Sequence, residues 1–154
     1  MDGGPAATRV FGVVDDDAGS RAVLIAFLHD EGFGVLTAET VAEAAELVAL
    51  HRPAALLLDV LLPDGGPVDL VTRLRELGAP IPPIVLMSAE TDEALERAQH
   101  ATGAIAALAK PFDLETVLGV LHEVVDHTRV AGSLERALAN WPAGKPPLYE
   151  LRCG

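Results

Sequence analysis

The amino-acid sequence predicts an α/β fold in which five parallel strands form one doubly wound sheet with helices on both faces. Short β-rich apolar runs alternate along the chain with segments of helical periodicity. The central run, 54–58, contains no polar residue before Asp59, which is typical of a parallel strand covered on both faces. The links between the elements are short, which favours right-handed crossovers within one compact domain.

Turn residues bound the predicted strands, and capping residues bound the predicted helices. Thr40 and Glu43 have the spacing of a capping box, and Gly32 is placed to end the first helix. Asp113 is placed to begin the last one. The strands are expected at 9–14, 35–38, 54–59, 83–87 and 104–109, and the helices at 18–31, 40–50, 68–77, 92–101 and 113–125. The apolar stripe of the first helix comprises Val23, Leu24, Phe27 and Leu28, and that of the last comprises Leu114, Val117, Leu118, Leu121, Val124 and Val125.

The composition bounds the class of protein. A chain of 154 residues with 50% apolar content fits one domain with a sizeable core. Acidic residues outnumber basic residues by 23 to 11, and the net charge of −12 argues against direct binding of nucleic acid or an anionic membrane. The single cysteine, Cys153, excludes an internal disulfide framework, and no secretory leader or long apolar span is visible. We therefore expect a cytoplasmic protein.

Composition also divides the chain into three parts. Residues 1–8 are rich in Gly, Ala and Pro and are expected to form a flexible leader, whereas 9–127 hold the predicted sheet and the acidic excess. The remainder, 128–154, is slightly basic and is expected to contain a short helix and a proline-rich segment, with no recognisable output domain. Two roles stay open for this tail: a disordered end, or a docking or dimer segment anchored by Trp141 and Tyr149.

Polar residues that are suited to chemistry collect where the predicted strands end. In a doubly wound sheet the carboxyl ends of the strands share one edge, and ligands bind where the winding changes direction. Each residue taken alone has a simpler explanation, because Asp and Ser also cap turns and helices at such positions. The set consists of Asp15, Asp16 and Asp17 after the first strand, Asp59 after the third, Ser88 after the fourth and Lys110 after the fifth.

Carboxylates brought together at one edge repel each other and favour a bound cation. A hard divalent ion with oxygen ligands meets this need, and Mg²⁺ suits a site that keeps several waters and awaits a phosphate. Lys110 is the only lysine in the first 127 residues and follows an apolar strand, so its ammonium is placed to bind a phosphate or a carboxylate. The Ser88 hydroxyl is suited to bind a phosphoryl oxygen in the same site.

Four motifs, in this order and spacing, resemble the receiver domain of two-component response regulators. The resemblance covers roughly residues 9–127 and implies a flavodoxin-like (βα)5 fold. Together the four are specific, although any one alone is weak. They are Val13-Val14-Asp15-Asp16-Asp17, Leu56-Leu57-Leu58-Asp59 followed by Pro63, Ile84-Val85-Leu86-Met87-Ser88-Ala89, and Ala109-Lys110-Pro111-Phe112.

The resemblance implies a role for each residue of the set. Asp59 would be the phosphoacceptor, which takes a phosphoryl group from a histidine kinase or a histidine phosphotransfer protein. Asp15 and Asp16 would hold Mg²⁺ together with Asp59 and the backbone carbonyl of Leu61. Ser88 and Lys110 would bind the phosphoryl oxygens. Such a protein is a self-phosphorylating acceptor with slow autodephosphorylation rather than a classical enzyme. It would signal as a single-domain regulator through a downstream protein, a homodimer or a phosphorelay.

The sequence departs from the family pattern at two places. An aromatic residue usually stands three positions before the lysine, where this chain has Ala107, and the loop after the phosphoacceptor carries Gly66-Pro67 instead of an Asp-Gly pair. Ala107 motivates an alternative, a degenerate receiver that binds proteins independently of phosphorylation. A second alternative is a haloacid-dehalogenase-type phosphatase, because Asp15-x-Asp17 resembles its nucleophile motif. The late acidic pair of that family is missing, since Ser88 and Lys110 occupy the late strand ends.

Overall fold

The computed structural model describes residues 9–89, 92–110 and 113–131, and they form five strands alternating with five helices. The expectations for 1–8, for Pro111 and Phe112 and for the tail beyond Ala131 lie outside these residues. The elements are β1 Val10–Val14, α1 Ala18–Asp30, β2 Gly34–Ala38, α2 Val41–His51, β3 Ala55–Asp59, α3 Pro67–Leu77, β4 Ile84–Ser88, α4 Asp92–Thr102, β5 Ala106–Ala109 and α5 Leu114–Ala131.

All five strands pair in parallel in one sheet with the order β2-β1-β3-β4-β5. The predicted α/β class and doubly wound sheet are therefore confirmed. β3 lies at the centre of the sheet, and all of its residues are buried, as its apolar run predicts. The winding changes direction between β1 and β3, because the chain runs outward from β1 to β2 and then returns to the other side of β1.

Alternate residues of the strands supply two apolar cores, one on each face of the sheet. Leu56 and Leu58 of β3 point into the core that α2, α3 and α4 cover, whereas Leu57 points into the core that α1 and α5 cover. Gly12 of β1 permits close packing in the first core, because a Cβ atom at this position would lie 2.6 Å from Leu56 Cδ1 and 3.2 Å from Leu47 Cδ2.

The helix boundaries agree with the predicted caps of α2 and α1, apart from one shifted hydrogen bond. Thr40 accepts a hydrogen bond from the Glu43 backbone N–H at 3.0 Å, as the capping box predicts. The Glu43 carboxylate accepts from the Glu39 N–H at 2.9 Å, one residue before the expected donor, so the reciprocal half of the box is shifted. Gly32 adopts φ +91° directly after Glu31, the C-cap of α1, and this conformation is suited to glycine.

Two expected details of the helices differ from the structure. Val23 does not belong to the apolar stripe of α1: its side chain is 54% exposed, while Leu24 and Leu28 are buried. The stripe is therefore narrower than the sequence spacing suggested, because α1 rotates Leu24 rather than its neighbour toward the sheet. Helix α5 continues to Ala131, beyond position 127. Val117, Leu121 and Val124 are buried along it, as expected, and Val120 is buried as well.

Candidate phosphoryl and metal site

The carboxyl ends of β1, β3, β4 and β5 bring the predicted polar residues to one edge of the sheet. Asp59 is the last residue of β3 and Ser88 the last of β4, while Asp15 and Lys110 directly follow β1 and β5. β1 and β3 are neighbours at the point where the winding reverses. The site therefore lies at the topological switch point, where open α/β sheets bind their ligands.

Asp59 is held in position at both carboxylate oxygens. Oδ1 accepts a hydrogen bond from the backbone N–H of Leu61 at 3.0 Å, and Oδ2 accepts one from Lys110 Nζ at 3.0 Å. The residue is only 9% exposed. Burial raises the pKa of this carboxyl above its usual value, and the hydrogen bonds from Leu61 and Lys110 offset that effect only in part.

Lys110 joins two carboxylates that come from different strands. Its ammonium donates to Asp15 Oδ2 at 2.8 Å as well as to Asp59 Oδ2, across sequence separations of 95 and 51 residues. Asp15 is fully buried, and the Lys110 side chain is 19% exposed. Burial alone would lower the pKa of Lys110, but the hydrogen bonds to the two carboxylates outweigh it and raise that pKa above its usual value. The pair of contacts keeps the ammonium charged beside the site.

The three aspartates after β1 have separate roles. One carboxylate oxygen from each of Asp15, Asp16 and Asp59 lies within 4.8 Å of the others. Asp17 lies outside this group: it is the N-cap of α1, and its Oδ2 accepts from the backbone N–H of Ser20 at 3.1 Å and from the Ser20 hydroxyl at 2.8 Å. Asp17 therefore fits the capping explanation of the acidic triplet, whereas Asp15 and Asp16 belong to the group whose geometry could hold a metal ion.

The donor set of this acidic group fits a hard divalent cation. It consists of carboxylate oxygens alone, and Asp16 is exposed, so that an ion bound here would keep water ligands. The two buried carboxylates, Asp15 and Asp59, share one ammonium, which leaves an excess of negative charge at the edge of the sheet. A cation would relieve this excess.

Ser88 and Leu61 complete the predicted set at the same edge. Ser88 is 1% exposed, it pairs in register with Ala109, and its carbonyl accepts from the backbone N–H of Lys110 at 2.7 Å. Leu61 follows β3, and its side chain is 61% exposed. The structure therefore gathers Asp15, Asp16, Asp59 and Lys110 by side-chain proximity. It brings Ser88 and Leu61 beside them through backbone contacts.

Two further residues make contacts near the site that the sequence did not predict. Arg21 Nη1 donates to the backbone carbonyl of Asp15 at 2.6 Å, and its Nη2 lies 3.7 Å from Glu39 Oε2. The Asp64 carboxylate accepts hydrogen bonds from the backbone of α2. In the sequence, the only indication of the contact between Arg21 and Asp15 is the position of Arg21 in α1, one turn after the N-cap. No local pattern indicates the second, which spans 23 residues.

The sequence matches a family model over most of the described chain. Residues 11–122 match the response regulator receiver domain. The chain belongs to this family. Receiver domains are phosphoacceptors that bind Mg²⁺ through an aspartate cluster, and the acidic group at the end of β1 and β3 is compatible with that chemistry.

Curated relatives of this receiver domain are longer response regulators. Response regulator MprA of Mycobacterium ulcerans is 36% identical over 119 residues, which are 77% of this chain and 50% of the relative. The DNA-binding transcriptional regulator NtrC of Escherichia coli K12 is 30% identical over 115 residues, 75% of this chain and 24% of the relative. The chain thus spans about half the length of the MprA relatives and about a quarter of the length of NtrC.

Solved receiver structures share the fold. Chemotaxis protein CheY4 of Vibrio cholerae superposes with a TM-score of 0.69 at 29% identity, covering 77% of this chain and 99% of CheY4. The beryllofluoride-activated NtrC4 receiver domain dimer superposes with a TM-score of 0.67 at 27% identity, covering 76% of this chain and 96% of that one. Within the described ranges, no helix of the receiver domain is both long and apolar enough to cross a bilayer.

The two departures from the family pattern have a structural context. Ala107 is 2% exposed and belongs to the core that α4 covers, paired in register with Leu86. The loop after Asp59 closes with a bridge between Leu62 and Gly65, and α3 begins at Pro67. Proline is well suited to the first position of a helix, where its missing N–H leaves no broken hydrogen bond. Asp59 keeps its place at the end of β3 despite the altered loop.

Proposed function

We propose that this receiver domain accepts a phosphoryl group on Asp59 from a histidine kinase or a histidine phosphotransfer protein. The observation that carries the proposal is the position of Lys110, whose ammonium contacts Asp15 and Asp59 at 2.8 and 3.0 Å. An ammonium beside a nucleophilic carboxylate and a cluster of cation ligands is the arrangement that phosphoryl transfer requires.

Asp59 is the proposed nucleophile. A carboxylate oxygen attacks phosphorus while the bond from phosphorus to the donor imidazole nitrogen breaks, and the electron pair of that bond stays on the imidazole, which takes a proton from solvent. The product is an acyl phosphate on Asp59. A carboxylate nucleophile needs no general base, so the site must chiefly neutralise charge and position the reacting groups.

Lys110 and Ser88 are proposed to bind the transferred group. The ammonium of Lys110 would pair with a phosphoryl oxygen, and the Ser88 hydroxyl would donate to another from the end of β4. Mg²⁺, when bound by Asp15, Asp16, Asp59 and the backbone carbonyl of Leu61, supplies positive charge that stabilises the phosphoryl oxygens. Water attack on the acyl phosphate would end the signal, which makes the domain a self-phosphorylating acceptor rather than a classical enzyme.

The proposed output is a contact with another protein. The surface formed by α4, β5 and α5 would carry it, or the phosphoryl group would be relayed to another histidine protein. A homodimer is one form of such a contact, and the NtrC4 receiver domain was solved as a dimer. We expect a protein partner rather than nucleic acid, because the chain's net charge of −12 repels phosphates. The NtrC relative is named as a DNA-binding regulator, and we do not carry that property over to this chain.

A second candidate function is protein binding that does not depend on phosphorylation. Ala107 favours it, since alanine has no rotamer with which to report a change at Ser88. The first candidate is favoured by the contacts of Lys110 with Asp15 and Asp59 and by the proximity of Asp16 to both carboxylates. The two differ in whether partner affinity changes on phosphorylation.

The test is incubation of the protein with acetyl phosphate and Mg²⁺, followed by intact-mass spectrometry. The wild type should gain the mass of one phosphoryl group, and the Asp59→Asn variant should not. An equal gain in the variant would falsify the assignment of Asp59. Beryllofluoride, added with Mg²⁺, should change the fluorescence of the wild type and leave that of the variant unchanged.

A further inference from the structure

The loop between β3 and α3 is held by its own hydrogen bonds at both ends. At its start, the N–H of Leu61 donates to Asp59 Oδ1 at 3.0 Å. In its middle, Leu62 and Gly65 exchange backbone hydrogen bonds of 3.1 and 3.3 Å. At its end, the N–H of Gly66 donates to Asp69 Oδ2 at 2.8 Å. The N–H of Val60, at the start of the loop, also donates to the Met87 carbonyl of β4 at 3.1 Å. The other contacts lie within the loop and the two elements that it connects.

Asp64 ties the far half of the same loop to α2. Its Oδ1 accepts from the backbone N–H of Val41 at 2.7 Å, and its Oδ2 accepts from that of Ala42 at 3.1 Å. These are the first two amides of α2, which have no partner within their own helix. Hydrogen bonds to the Val41 and Ala42 amides lower the pKa of Asp64, in keeping with a carboxylate at a helix N-terminus.

The position of Asp64 in the loop connects this contact to the phosphoryl site. Leu61 lies between Asp59 and Asp64, so the peptide of Leu61 is fixed on one side by the end of β3 and on the other by α2. The Leu61 side chain is 61% exposed and gives little packing support of its own, whereas the next side chain, Leu62, is buried at 8% exposure. Restraint of the Leu61 backbone therefore comes from hydrogen bonds and from one apolar neighbour.

We infer that Asp64 is a positioning residue, which holds the Leu61 backbone in place for the metal and the phosphoryl group by clamping the loop onto α2. The inference rests on the proposed function, in which the Leu61 carbonyl is a ligand of Mg²⁺. Preorganised ligands bind a cation more tightly, because less conformational freedom is lost on binding. The Asp64 carboxylate accepts its hydrogen bonds from the Val41 and Ala42 amides, which are neither proposed metal ligands nor reacting groups, so its effect passes through the loop.

Thermodynamic linkage makes the coupling reciprocal. If the clamp favours the loop conformation that binds Mg²⁺, then Mg²⁺ must favour the clamp to the same degree. In the wild type, added Mg²⁺ should therefore slow hydrogen exchange at the Val41 and Ala42 amides, although these amides belong to α2 and donate to no ligand of the site.

The test compares three variants of the full chain by calorimetric titration with Mg²⁺. Asp64→Ala removes both hydrogen bonds and should raise the dissociation constant about tenfold, at the lower end of the range for outer-shell partners of metal ligands. Asp64→Asn keeps one acceptor oxygen and should give an intermediate value. Thr40→Ala is the matched control, because it deletes another cap of the same helix without touching the loop, and its Mg²⁺ affinity should equal that of the wild type.

A rate measurement separates positioning from loss of stability. At limiting Mg²⁺ the Asp64→Ala variant should accept phosphoryl groups from acetyl phosphate more slowly than the wild type. At saturating Mg²⁺ its rate should recover, because the reacting groups are intact. Wild-type affinity in Asp64→Ala, or equal weakening in Thr40→Ala, overturns the positioning role while the proposed function stands. Absence of Mg²⁺ binding by the wild type overturns both.

Discussion

Replacing Lys110 with methionine removes the ammonium that contacts two buried carboxylates while keeping most of the apolar stem. Asp15 is fully buried and Asp59 is 9% exposed, so both would lose their shared cation in a site with little water. Removing one partner of a buried ion pair costs about 3–5 kcal/mol of folding free energy. The Lys110 side chain is 19% exposed, which lowers the expected cost to about 2–3 kcal/mol.

The assay is urea unfolding in a chelator, followed by the same experiment in Mg²⁺. The variant should be less stable than the wild type in chelator, and Mg²⁺ should stabilise it more, because a cation binds more tightly to carboxylates that lack a competing ammonium. At 100 times its own dissociation constant, Mg²⁺ should stabilise the variant by about 2.7 kcal/mol, which is close to its deficit relative to the wild type in chelator.

A matched control comes from an exposed cation. Arg97 lies on α4, is 73% exposed and approaches Glu93 only to 4.0 Å. Arg97→Met should change the free energy of unfolding by less than about 0.5 kcal/mol and leave the response to Mg²⁺ unaltered. The electrostatic explanation of the site is refuted if Lys110→Met is as stable as Arg97→Met in chelator, or if Mg²⁺ stabilises both variants equally.

Three further predictions concern the acidic residues and the core. Asp59→Asn should stabilise the protein near neutral pH without Mg²⁺, measured by urea unfolding: the folded-state pKa of Asp59 is raised, so its ionised form costs stability that the protein regains as the pH falls through that pKa. The gain should disappear in acid, and a loss of stability at neutral pH would contradict the burial effect. Asp16→Asn should weaken Mg²⁺ binding in a titration with little change in stability. Asp17→Ala should lower the free energy of unfolding and leave Mg²⁺ affinity intact, since Asp17 caps α1. The opposite pattern would mean that the two roles are exchanged. Gly12→Ala should cost about 1–3 kcal/mol in urea unfolding, because its Cβ would lie 2.6 Å from Leu56 Cδ1, and an unchanged midpoint would show that the core yields freely.

Much of the site follows from the sequence because parallel strands with short crossovers leave few arrangements. Once the apolar runs are recognised as strands, their ends must share an edge, and Asp15, Asp59, Ser88 and Lys110 follow from that one inference. The sequence does not show whether the Lys110 side chain reaches both carboxylates. The two ion pairs nevertheless agree with the attraction expected between opposite charges at one edge of the sheet.

Other features depend on tertiary contacts that no local pattern encodes. The Asp64 carboxylate meets α2 only because the folded sheet places the β3–α3 loop over that helix. Val23 has the spacing of a core residue but faces solvent, since the orientation of α1 is decided by how Leu24 and Leu28 pack against the sheet. Only the direction of each side chain shows that Asp17 caps α1 while Asp15 and Asp16 join Asp59 in the acidic group.

The most direct test of the central claim is to trap the phosphorylated residue chemically. Borohydride reduces an aspartyl phosphate to homoserine, which peptide mass spectrometry locates. After incubation with acetyl phosphate and Mg²⁺, homoserine should appear at position 59, and it should be absent when Mg²⁺ is chelated. Reduction at another carboxylate, or equal conversion at position 59 without Mg²⁺, would contradict a site in which Asp59 reacts beside Lys110 and a cation held by Asp15 and Asp16.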